Sequence, residues 1–112
     1  MRFISGNEAE NRVAEHVESN GSKIVVRNWR TPACELDIVA TRKRVLYVVE
    51  VKYRLNTNQG SAFDYINKQK IVKLKLGTTL WQLQNDWTGE VMLVAASVTG
   101  IPPEVQLVEM LI

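Results

Sequence analysis

Asp37, Glu50 and Lys52 are the residues of this chain whose types and spacing could do chemistry. Asp37 lies thirteen residues before Glu50-Val51-Lys52, which closes the apolar run Val45-Leu46-Tyr47-Val48-Val49. Positions i and i+2 of a β-strand share a face, so Glu50 and Lys52 project together from a segment that is otherwise hydrophobic. Burying charge is costly unless partners or a metal compensate, so the pattern asks for a site. Two carboxylates can hold one Mg²⁺ while water and phosphate oxygens complete its shell, and a nearby lysine can stabilise charge on the phosphate or orient an attacking water. A cross-strand ion-pair network, Glu35 with Lys52 and Asp37 with an Arg, explains the same spacing equally well. Spacing alone does not separate the two.

The elements that must position these residues are legible in outline. Glu35 to Thr41 and Val45 to Tyr53 read as strands joined at Arg42-Lys43-Arg44. If Lys43-Arg44 is a two-residue loop, Arg42 pairs with Val45, which sets Asp37 opposite Glu50 and Glu35 opposite Lys52. Strict alternation then puts these four on one face with Val39, Leu46 and Val48. Leu36, Ile38, Ala40, Tyr47, Val49 and Val51 fall on the other. Both faces carry apolar residues, so both must be covered.

Ser5-Gly6-Asn7-Glu8 has the form of a capping box, and Ala9, Val13 and Val17 continue from it at helical spacing until Asn20-Gly21. Lys23-Ile24-Val25-Val26 reads as a short strand. Gly60-Ser61-Ala62-Phe63-Asp64 is expected to open a second helix through Ser61 and Asp64, with Ile66, Ile71, Leu74 and Trp81 inward and Lys68, Lys70, Lys73 and Lys75 interleaved. Val91 to Val98 is a strand-type run, Gly100-Ile101-Pro102-Pro103 a turn, and Val105 to Leu111 a last edge strand. The expected order is α-β-β-β-α-β-β in one domain spanning residues 1–112.

Composition bounds the classes. A hydrophobic content of 46% with 23% charged residues is ordinary for a globular domain. No apolar run approaches the ~20 residues that span a bilayer, and Met1-Arg2-Phe3-Ile4 is too short for a signal peptide, so no membrane and a cytoplasmic location are expected. One cysteine, Cys34, and one histidine, His16, exclude Ser-His-Asp and Cys-His catalysis and thiolate-rich or His-rich metal sites. All 14 Lys and Arg fall at or before Lys75 with eight acids, whereas residues 76–112 hold four acids and no base. That asymmetry points to a polyanionic partner, although basic helix faces are often only solvated.

The ordered set Gly6, Glu10, Gly21, Arg27-Asn28-Trp29-Arg30, Glu35-Leu36-Asp37-Ile38-Val39, Glu50-Val51-Lys52-Tyr53-Arg54, Gly60, Ala62, Ile66, Lys70, Lys73 and Leu74 resembles the YraN-like family of small bacterial proteins. That family belongs to the PD-(D/E)xK nuclease superfamily and is similar to archaeal Holliday-junction resolvases. The resemblance implies a restriction-endonuclease-like core, an α/β fold with a mixed sheet flanked by helices. It implies Asp37 and Glu50 as ligands of Mg²⁺ or Mn²⁺, Lys52 as the catalytic lysine, Glu10 as an acid at the edge of the site and Lys70 as a basic position on the second helix. Cys34 stands where the family usually has Gly, and Ile71 where Gln is common.

The expectation is therefore a divalent-metal-dependent nuclease acting on DNA, with branched DNA as a candidate substrate. Arg27, Arg30, Lys70 and Lys73 are the expected nucleic-acid contacts, and Trp29 could stack on an unpaired base or pack as core. A homodimer is left open. The competing expectation is a nucleic-acid-binding or assembly protein that keeps the nuclease fold without significant turnover.

Overall fold

Helix α1 (Gly6–Ser19) begins where Ser5 Oγ accepts the amide of Glu8, and ends at Asn20 and the positive-φ Gly21. These are the caps expected of a Ser at the N-cap and a Gly just past the end. The computed structural model describes residues 5–54 and 66–110. Strands β1 (Lys23–Arg30), β2 (Glu35–Arg42) and β3 (Val45–Arg54) follow, then helix α2 (Lys68–Gln84) and strands β4 (Glu90–Thr99) and β5 (Glu104–Glu109). They form one sheet in the order β1-β2-β3-β4-β5. The pair β3–β4 is parallel and the other three are antiparallel. A parallel pair needs a long crossover, and α2 lies in that connection. The observed order α-β-β-β-α-β-β and the mixed sheet with two helices are the expected ones.

The hairpin register is also as expected. Arg42 pairs with Val45 and Ile38 with Val49. Lys43 and Arg44 both take positive φ, the geometry of a two-residue turn whose twist suits antiparallel strands.

The two faces of the sheet carry separate cores. Ala9, Val13, Ala14 and Val17 of α1 pack on Ile38, Ala40, Val49, Val94, Ala96 and Val98. On the opposite face, Leu74 and Trp81 of α2 pack on Leu36, Val39, Leu46, Val48 and Leu93. Gly77 sits on this second face because a Cβ there would lie 3.0 Å from Leu36 Cδ2 and 3.1 Å from Cys34 Sγ. The glycine lets the helix approach the sheet, which outweighs its low helix propensity.

Three local expectations need correction, and a fourth falls where the structure is not described. Strand β1 runs on through Arg30, well past the short strand expected. Ile66 precedes α2, whose N-cap is Asn67, with its side chain accepting the amide of Lys70. The expected helix opening at Ser61 and Asp64 lies outside the described residues. Leu36 belongs to the α2 face with Val39, not to the α1 face with Ile38. Alternation therefore breaks at Asp37.

Candidate functional site

The break at Asp37 has a partner in β1. Arg27 pairs with Ile38 and Trp29 with Leu36, which brackets Asn28 and Asp37 opposite one another. Asn28 holds φ at 54°, a left-handed conformation that Asn tolerates better than most residues. Val26 and Trp29 both pack on the α2 side, and the intervening Arg27 and Asn28 both reach Glu10 of α1. The same happens in β2, where Leu36 and Val39 pack on the α2 side and Ile38 on the α1 side.

This paired kink opens the hairpin at its charged end. Registered pairing between β2 and β3 stops at Ile38 with Val49, and the amide of Val51 donates to Asp37 Oδ2 at 2.8 Å. The carboxylate takes the place of a strand carbonyl. Asp37 then lines a cavity of about 430 Å³ with Gly6, Ala9, Glu10, Val51, Lys52 and Tyr53.

Glu50 approaches from the α2 side. It is 7% exposed, and its Oε1 receives Lys70 Nζ at 2.8 Å. The carboxyl groups of Asp37 and Glu50 are close enough to share a hydrogen bond. Burial pushes the Asp37 carboxyl up to about 7, aided by the negative charges of Glu50, Glu10 and Glu35 and opposed by the Val51 amide. Burial likewise raises Glu50, against the hydrogen bond and positive charge of Lys70. Two neighbouring acids drawn out of water hold a proton longer than free acids do.

Glu10 is fixed by three donors. Its Oε1 accepts Arg27 Nε and a terminal Arg27 nitrogen, each at 3.3 Å, and Asn28 Nδ2 at 3.0 Å. Arg27, expected as a nucleic-acid contact, is thus committed to Glu10. Lys70, expected to face nucleic acid, reaches Glu50 and also lines a second cavity with Arg30 and Lys73. Arg30 pairs across the strands with Glu35 at 3.2 Å, both well exposed. Trp29 is half-buried against the α2-side core, the packing alternative to base stacking. Cys34 closes the turn before β2, where Thr31 Oγ1 accepts the amides of Ala33 and Cys34 and lies 3.1 Å from Cys34 Sγ.

The donor set fits a small hard cation. Among the described residues no three acidic, His or Cys side chains gather into a complete cage. Mg²⁺ commonly takes only one or two carboxylates and keeps several waters, so the Asp37–Glu50 pair is enough.

Two residues of this site escaped the sequence reading. Asn28 carries a signal in its type, since Asn is depleted in strands and enriched at positive φ. Tyr53 lines the cavity, and its hydroxyl is buried with no protein partner among the described residues. Nothing in its spacing distinguishes it from core.

A five-stranded mixed sheet between two helices, with acids and a lysine at an opened hairpin end, defines a small α/β protein of the restriction-endonuclease-like class. Within that class the chain belongs to the uncharacterised protein family UPF0102, the YraN-like group, which it matches over residues 9–105. A UPF0102 protein of Pseudomonas putida is 36% identical over 84 residues, covering 74% of this chain and 68% of the relative. One from Renibacterium salmoninarum is 32% identical over 97 residues, covering 87% and 82%. One from Flavobacterium johnsoniae is 41% identical over 66 residues, covering 59% and 54%. Among the described residues no helix is long and apolar enough to cross a membrane.

Proposed function

We propose that the protein is a divalent-metal-dependent nuclease that hydrolyses phosphodiester bonds in DNA. The observation that carries this reading is the placement of a half-buried Asp37 and a buried Glu50 at one end of the hairpin, with Asp37 in a cavity also lined by Lys52 and Glu10. Asp37 and Glu50 would hold Mg²⁺ or Mn²⁺, and the ion would supply positive charge against the charge that develops on the phosphate.

The chain's own groups do the rest. The Lys52 ammonium stabilises the non-bridging phosphate oxygens as the water oxygen attacks phosphorus and the bond to the leaving oxygen breaks. Glu10, immobilised by Arg27 and Asn28, presents a carboxylate at the cavity edge that orients the attacking water. Arg30 and Lys73 line the neighbouring cavity and hold adjacent phosphates of the strand.

One observation favours a second reading. Lys70 Nζ already sits 2.8 Å from Glu50 Oε1 and competes there with a cation. That suits a nucleic-acid-binding or assembly protein that keeps the fold without turnover.

The deciding experiment incubates the protein with labelled single-stranded, duplex, flap and four-way DNA in Mg²⁺, Mn²⁺ or EDTA, beside Asp37→Asn and Glu50→Gln. Cleavage of any substrate that requires the cation and is lost by about a hundredfold or more in both variants supports the nuclease. Cleavage that persists in EDTA sinks the metal mechanism, and tight binding of every DNA without cleavage supports the second reading.

A further inference from the structure

We infer that Asn28 is a positioning residue of this site, setting Asp37 through the backbone and Glu10 through its side chain. The inference about geometry stands on the fold, and only its consequence for metal rests on the proposed nuclease activity.

The backbone part follows from alternation. In two regular paired strands, Arg27 and Asn28 would point to opposite faces, as would Asp37 and Ile38. Here Val26 and Trp29 share the α2 face although three residues apart, and Leu36 and Val39 do the same directly across from them. An odd separation on one face requires one extra step in each strand. In β1 that step is Asn28, whose φ of 54° reverses the local backbone. In β2 the matching step is Asp37, bracketed by the same two registered pairs. The result is an Asp37 carboxylate on the amide of Val51, at the mouth of the cavity with Glu10. Were β1 regular at Asn28 and β2 regular with it, Asp37 would fall on the face that Val39 occupies.

The side-chain part is a contact. Asn28 Nδ2 donates to Glu10 Oε1 at 3.0 Å, on the oxygen that Arg27 also holds. One residue thereby ties the first helix to the kink that turns Asp37. Asn combines the two roles because it tolerates the left-handed region and carries an amide donor, whereas Gly has only the first property and Ala neither.

Substitution at Asn28 separates these roles cleanly, because the residue is exposed and its removal leaves no cavity in either core. The test uses the full chain as wild type, Asn28→Gly, Asn28→Ala and Asn28→Asp. The readouts are hydrogen exchange of the Val51 amide, referred to that of Val49, and Mn²⁺ affinity by calorimetry. Asn28→Ala should speed Val51 exchange by about tenfold or more relative to Val49, because the strand returns toward regular alternation and Asp37 leaves the amide. Its Mn²⁺ affinity should fall by about tenfold or more. Asn28→Gly should keep Val51 protected, since glycine adopts the same φ, and weaken Mn²⁺ only through the loosened Glu10. Asn28→Asp should also protect Val51, while its charge beside Glu10 displaces that carboxylate.

Unchanged Val51 exchange in Asn28→Ala would overturn the inference. Equal loss in Asn28→Ala and Asn28→Gly would overturn it too, since glycine preserves the backbone conformation. If the wild type binds no Mn²⁺ and cleaves nothing, the proposed nuclease falls, and the Val51 exchange rates alone still decide the role of Asn28.

Discussion

At the turn end of the β2–β3 hairpin, Val39, Leu46 and Val48 are 1% exposed or less, and every residue from Ile38 to Arg42 has its registered partner. At the open end of the same two strands, pairing has stopped, a carboxylate accepts a backbone amide, and Asp37, Glu50 and Lys52 replace the apolar side chains. The turn end is covered by α2 on one face and α1 on the other, so alternation and burial reinforce each other. The open end lies beside a cavity, where a kink that would ruin a core instead creates room. Two ends of one hairpin thus show stability and chemistry making opposite demands on the backbone.

Substitutions at the two ends should differ in sign. Leu46→Ala, at a fully buried position, should cost about 2–5 kcal/mol in urea unfolding. Asp37→Asn should cost little or raise stability, because the amide cannot take on the charge that desolvation and three neighbouring acids disfavour. A loss for Asp37→Asn as large as for Leu46→Ala would break the comparison, for Asp37 would then be structural.

The next effect is in pH. Asp37 holds its proton more tightly in the folded chain, near 7, than in the unfolded chain, near 3.8. Folding is therefore most favoured below the unfolded value, and that contribution is lost as pH rises toward about 7. The metal-free protein should lose stability on the order of 1–3 kcal/mol across this window. Asp37→Asn should flatten the slope, and Mn²⁺ should raise the melting temperature more at pH 8 than at pH 5. Thermal unfolding at stepped pH, with and without Mn²⁺, checks all three. An equal Mn²⁺ effect at both pH values would show that the cation binds somewhere other than this carboxyl pair.

The smallest effect concerns the lysines of α2. Lys73 lines the cavity with Arg30 and Lys70, whereas Lys75 lines a different cavity with Thr78, Thr79 and Gln82. Lys73→Ala should reduce the slope of log DNA affinity against log salt by about one unit, and Lys75→Ala should leave it unchanged. Identical slopes for both variants would mean that the helix does not face nucleic acid. Lys70→Ala sharpens the contrast, since it should also leave Glu50 without its ion pair and raise the proton affinity of the carboxyl pair.

What the sequence determined by itself was whatever depends on neighbours along the chain. The Ser5 cap of α1, the two-residue turn at Lys43-Arg44 and the order of elements were legible, and the register set by that turn brought Asp37, Glu50 and Lys52 to one hairpin end, because caps and turns are local rules. The UPF0102 motifs were legible for the same reason, as ordered residues in a line. Tertiary structure alone decided which carboxylate meets which cation. Glu50 meets Lys70 and Glu10 meets Arg27 across 20 and 17 residues of chain, and a charge so placed chooses its partner by distance in space. Tertiary structure also decided the face of Asp37. Alternation assigns it to the side of Val39, but a left-handed Asn28 in the adjoining strand turns it toward α1, and one strand cannot announce a kink that its neighbour imposes.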